Sequence, residues 1–133
     1  MRAGISSFML AVLACSNPIG AEVRVAAGTW GGEHVALEVI TTGGRIEYDC
    51  AHGDLAGPLT MDRSGQFEVT GTHTPEHGGP AREDEKAESR PARYAGRVDD
   101  TRMTLTVTLT DTGDILGTFA LTHRVAGRLM KCL

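Results

Sequence analysis

The chain is short of rings, with one Trp, two Tyr and three Phe among 133 residues. So few large side chains argue against a helical bundle built on aromatic packing, and seventeen glycines with abundant Thr favour short strands and tight turns instead. It is also short of positive charge. The formal net charge is -4, and discarding Met1 to Ala21 would take away only Arg2, so the remainder is more acidic still. Nucleic acid is therefore disfavoured as a partner, because phosphate binding needs a positive footprint. No serine stands in a Gly-x-Ser-x-Gly frame, and Gly28-Thr29-Trp30-Gly31-Gly32 lacks the lysine of a phosphate loop. The adjacent carboxylates Asp99-Asp100 and Glu83-Asp84-Glu85 fall in turns and loops, where solvation prevents the raised pKa of a general acid. The expectation is a protein without catalysis and without a cofactor.

Long hydrophobic runs are missing too. The apolar run Phe8 to Ala14, preceded by Arg2 and followed by polar residues and Pro18, is too short to span a membrane and has the layout of a secretory signal peptide. Two processing routes stay open. Val12-Leu13-Ala14-Cys15 resembles a bacterial lipobox that would make Cys15 a lipidated N-terminus, whereas Ile19-Gly20-Ala21 offers ordinary cleavage before Glu22. Residues 1–21 are read as the signal segment, with the possible lipobox ending at Cys15, and 22–133 as one domain; either route makes the location periplasmic, outer-membrane-anchored or extracellular. Membrane contact would come only through a lipid on Cys15. The remaining cysteines, Cys50 and Cys132, form an even pair in an oxidising compartment and are expected to be disulfide-bonded.

What is present in quantity is alternation. Val35, Leu37 and Val39 face away from His34, Ala36 and Glu38; Ile46, Tyr48 and Cys50 alternate with Arg45, Glu47 and Asp49, which points Cys50 inward. Leu59 and Met61, then Phe67, Val69 and Gly71, follow across the turn Asp62-Arg63-Ser64-Gly65. Tyr94, Gly96 and Val98 oppose Arg93, Ala95 and Arg97. Met103, Leu105, Val107 and Leu109 alternate with a solvent-facing ladder of Thr104, Thr106, Thr108 and Thr110. Ile115, Gly117, Phe119, Leu121 and His123 share the next face, and a last strand runs from Arg128 to Cys132. The fold class is all-β, an antiparallel up-and-down meander of about eight strands closing into a small barrel. Residues 74–91, rich in Pro, Gly and charge, form one long polar loop suited to a lid or a partner contact.

Gly28-Thr29-Trp30 at the start of a barrel strand resembles the Gly-x-Trp feature of calycins, the lipocalin and avidin-like barrels, set within a small exported protein of bacterial type. That resemblance implies an eight-stranded barrel with a cavity for a small apolar ligand, or a barrel that presents a tail to an enzyme, as the bacterial metalloprotease inhibitors of that superfamily do. Trp30 is read either as a core plug, its indole N–H satisfied by a carbonyl, or as the floor of a cavity, which would be lined by the inward rings Trp30, Tyr48, Phe67, Tyr94 and Phe119. A protein partner would instead meet the 74–91 loop, the threonine face or the N-terminal tail, as in an envelope lipoprotein or a periplasmic protease inhibitor. A third reading uses His73 and His77, four apart around Pro75-Glu76, as metal ligands, with Glu76 or His52 as the third group that zinc needs.

Overall fold

The computed structural model describes residues 23–79 and 88–132. Residues 1–22, with the expected leader and Cys15, and residues 80–87 of the polar loop lie outside the described residues. Ten strands run in chain order: β1 (Val23–Arg24), β2 (Gly28–Gly32), β3 (Val35–Ile40), β4 (Gly43–Tyr48), β5 (Ala51–Leu55), β6 (Thr60–Met61), β7 (Gln66–Pro75), β8 (Arg90–Asp99), β9 (Arg102–Leu109) and β10 (Ile115–His123). Eight of them close an antiparallel barrel in the order β10-β2-β3-β4-β5-β7-β8-β9, while β1 and β6 pair as a separate ribbon. The meander closes as the alternation requires, because closure leaves no edge strand to aggregate.

One end, called lower here, carries the N-terminal lead-in and the 41–42 and 99–101 connections; the upper end carries the 33–34 and 49–50 turns and the polar loop. Trp30 sits at the lower end with 0% of its surface exposed. Its indole nitrogen donates to the Ala26 carbonyl at 2.9 Å, and its ring stacks on His123 at 4.6 Å between centroids. The Val25 amide donates to the Leu59 carbonyl, and both side chains are buried, so the lead-in and the β6 segment close the floor beneath the tryptophan.

Across the barrel, Ile46 on β4 is paired with Gly53 on β5, and Gly53 with His73 on β7. A Cβ at Gly53 would collide with the Tyr94 hydroxyl and the Thr72 carbonyl. The bare glycine lets Tyr94 cross the interior and donate to Thr72 O. Phe67 likewise lies over Gly96, its register partner, where a side chain would strike the phenyl ring.

Three expectations change. Cys50 is exposed in the turn after Tyr48, because the alternation of β4 ends before the chain reverses. Arg128 to Cys132 is no strand; apart from one isolated parallel bridge between Glu33 and Arg128, the segment is a tail strapped along β2 and over the upper end. Cys50–Cys132 therefore joins that tail to a turn and does not tie two strands together. The strand face at Ile115 fails because a bulge between Ile115 and Gly117 adds Leu116 and resets the phase, leaving Ile115 exposed. Two smaller differences follow the same lines: Thr108 is buried while Thr104 is open, and β7 and β8 extend into the loop to Pro75 and from Arg90.

The turn between β8 and β9 holds Asp100 at φ 54, a left-handed conformation that costs a residue with a Cβ. Asp100→Gly is expected to raise unfolding stability by roughly 0.5–1 kcal/mol in urea titration, less than the full backbone penalty because glycine gives entropy to the unfolded chain.

Candidate functional site

The five rings assigned to a ligand cavity do not gather around one space. Trp30 seals the floor and Phe67 packs on Gly96, whereas Tyr48 and Phe119 meet toward the upper end at 5.4 Å, with His73 5.5 Å from Tyr48 on its other side. Tyr94 spans the middle, also 0% exposed. A void large enough for water would leave accessible surface on the rings beside it, so no such space touches Trp30 or Tyr94. The barrel interior is occupied by its own side chains, among them Val35, Leu37, Ile46, Leu105 and Val107.

Polarity concentrates in one interior spot. The Tyr48 hydroxyl and His73 Nδ1 are both buried and have no hydrogen-bond partner among the described residues. Burial drives the Tyr48 phenol well above its ordinary range, with Tyr94 adding to the shift, and pushes Tyr94 up to about 12. For His73 burial favours the neutral ring and lowers its pKa, with the nearby charges of His52 and Arg90 acting in the same direction. A histidine whose folded pKa lies below its unfolded value contributes stability that is complete above about pH 6.5 and is lost as pH falls toward the folded value. Between pH 7 and 5 the wild type is therefore expected to lose stability that His73→Phe does not, measured as the difference between their urea midpoints.

The other histidines go separate ways. His77 is exposed, with Nδ1 2.9 Å from Gly78 O. His34 pairs with Asp49 at 2.6 Å, and His52 Nδ1 lies 3.3 Å from Glu76 Oε1. His73 faces inward and His77 outward, so the two are not brought together as a helix would have done. Among the described residues no three His, Cys, Asp or Glu side chains converge as a metal site requires.

One concavity among the described residues lies outside the barrel. An open groove of about 1170 Å³ runs along the lower part of β7, β8 and β9, with Met61, Gln66, Arg97, Arg102, Thr104 and Thr106 among its lining residues. At one end Asp62 is fixed by hydrogen bonds from the Ser64 hydroxyl at 2.7 Å and from the Ser64 and Gln66 amides at 2.9 Å. The Ser64 hydroxyl is the main reason its carboxyl stays below the usual range, and the charge of Arg97 adds to it. Arg97 and Arg102 form no ion pair among the described residues, in contrast to Arg90, which holds Asp111 through two nitrogens at 2.9 and 3.1 Å. The Thr106 and Thr118 hydroxyls are linked at 3.1 Å, which orders the threonine surface beside the groove. Two guanidinium groups without an ion pair stand beside these hydroxyls and the lining carboxylates Asp62, Glu68 and Asp99, a surface of mixed charge that can hydrogen-bond the polar groups of another chain.

No family model, no curated protein and no solved structure matches this chain. Function therefore has to be argued from these residues alone. The threonine ladder is legible in the sequence but the groove is not, because Arg97 and Arg102 are brought near each other by the β8–β9 register, which pairs Arg97 with Thr104 and Asp99 with Arg102. It also missed the upper-end hub, where Lys131 donates to Glu47, to Tyr48 O and to Glu76 at 2.8, 2.8 and 3.0 Å. No periodicity signals such a contact; its only trace in the sequence is the position of Cys132 beside Lys131.

Proposed function

We propose that this is an exported, non-catalytic module that binds another protein through the groove on the outer face of β7, β8 and β9. The observation that carries the reading is the burial of the inward rings Trp30 and Tyr94, each 0% exposed, which favours binding on the outer surface over binding in a calycin-type cavity. The groove supports it with unpaired Arg97 and Arg102 at its rim and Met61 as an apolar contact. A lipid on Cys15 would make the same module envelope-bound without altering the surface.

A second reading, a very small polar ligand near the upper end, draws support from the unpartnered Tyr48 hydroxyl and His73 Nδ1. It would be limited to something about the size of water unless the rings moved.

The test is site-specific photo-crosslinking in cells that export the protein, with a benzophenone amino acid at Thr104 or Thr106 and, as control, at Thr41 on the opposite side of the lower end. One discrete adduct from the groove positions, absent from Thr41 and reduced at least tenfold by Arg97→Glu with Arg102→Glu, is the expected result. Equal labelling from all three positions, or none from the groove, would overturn the reading.

A further inference from the structure

The C-terminal tail is attached to the barrel in an unusual way. β10 pairs with β2 through only Thr122 with Gly31 and His123 with Trp30. The chain then reverses at Arg124, whose φ of 64 is left-handed, and Arg124 to Cys132 runs back along β2. Its amides and carbonyls take over that side of the barrel: Arg124 N donates to Thr29 O at 2.7 Å, Arg128 N to Gly32 O at 3.0 Å, and His34 N to Arg128 O at 2.8 Å. Gly31 and Gly127 make the approach close enough for this, since a Cβ on Gly31 would strike the backbone of residues 125–127 and one on Gly127 would strike Val35 O and Ala36. At the far end Asp49 receives the amides of Met130 and Cys132, Lys131 fills its three-acceptor socket, and Cys132 is bonded to Cys50.

Those contacts are directional and polar, and they contribute little to the core: Val125 is 46% and Met130 77% exposed. Past Arg124, whose amide bond to Thr29 O is tied to the adjoining His123–Trp30 pair of its own copy, nothing in them depends on which copy of the chain supplies the tail. The connection that does depend on it is the single hinge at Arg124, and a short strained hinge is the arrangement that favours exchange between copies. Both cysteines are exposed, so the covalent latch is open to thiol exchange.

We propose that the site along β2 accepts the Val125–Cys132 segment of a second copy, giving a reciprocal two-fold dimer with each Cys132 bonded to the other copy's Cys50. A low-molecular-weight thiolate attacks the Cys50 sulfur, forming a mixed disulfide there and releasing Cys132 as a thiolate. The other copy's Cys132 thiolate then attacks the Cys50 sulfur and expels the small thiol. One disulfide is broken and one is formed, the small thiol is regenerated, and no net oxidant is needed. The inference is independent of the groove: the tail lies on β2 and β3, and the groove on β7, β8 and β9.

The test mixes equal amounts of unlabelled and nitrogen-15-labelled protein at millimolar concentration in a reduced and oxidised glutathione buffer, followed by acid quenching, gel filtration and non-reducing peptide mass spectrometry. A dimer fraction in which about half of the Cys50–Cys132 peptides join one labelled and one unlabelled strand is expected from random pairing of a reciprocal exchange. Arg124→Gly, which relaxes the hinge in the closed form, should lower the dimer yield several-fold. Only monomer with unmixed linkages, or a dimer joined through Cys50–Cys50, would overturn the proposal, as would a dimer whose yield is unchanged by Arg124→Gly.

Discussion

Trp30→Ala is expected to lower the unfolding free energy by about 4 kcal/mol, the scale for removing a fully buried indole from a core that cannot close behind it. The floor has little freedom to collapse. Val25 and Leu59 are fixed by a backbone hydrogen bond below the ring, and His123 lies against it while its Nε2 contacts Ala27 O at 2.9 Å. Losing the indole also leaves Ala26 O without its donor, a cost of about 1 kcal/mol or more on its own. Trp30→Phe separates the two terms, since it keeps most of the apolar volume and loses the hydrogen bond. Chemical denaturation of the three proteins gives both values. A loss below about 1.5 kcal/mol for the alanine variant would mean that the lower end repacks and that Trp30 does not organise the floor.

Cys132→Ser is the other large effect. The two cysteines are 82 residues apart, and in the chain-entropy model opening a loop of that length costs about 4 kcal/mol, through the unfolded state and with almost no change in the barrel. Two readouts distinguish this from a structural role. The ladders of β2 to β10 do not pass through the tail, so their slowest amide exchange should fall only by the global loss. The amides of Arg128, Met130 and Cys132, which bond to Gly32 and Asp49, should lose protection much further, because without the latch they depend on exposed polar contacts. Uniform loss across barrel and tail alike would show instead that the strap holds the barrel closed.

The barrel was legible because alternation reports the side of a sheet on which a residue lies. The β3 pattern of Val35, Leu37 and Val39 and the β9 pattern of Met103, Leu105 and Val107 both fall on the buried face as read. Strand ends were legible only in part. The alternation that placed Cys50 inward had no term for the reversal after Tyr48, and that through Ile115 had none for a bulge, which shifts the phase by one residue without a marker in composition. Arg128 to Cys132, expected from the sequence as a last strand, is the other departure. In the fold it bonds to β2 with irregular spacing and earns no ladder.

The candidate site was less legible, for a related reason. Alternation places a ring inside the barrel, but whether inward rings line a space or fill it depends on what stands opposite. Gly53 and Gly96 admit Tyr94 and Phe67 deep into the interior and convert lining into packing. The histidine pair at positions 73 and 77 separated because the spacing that aligns two side chains on a helix places them differently along a strand and the loop beyond it.

The central claim is that the barrel is full and binds from outside. Its most direct test is to purify the protein from its source cells, without denaturation, and compare its native and denatured masses. Equal masses, with the disulfide intact in both, are predicted. A native mass larger by that of a small molecule released on unfolding would contradict the claim and return function to the interior.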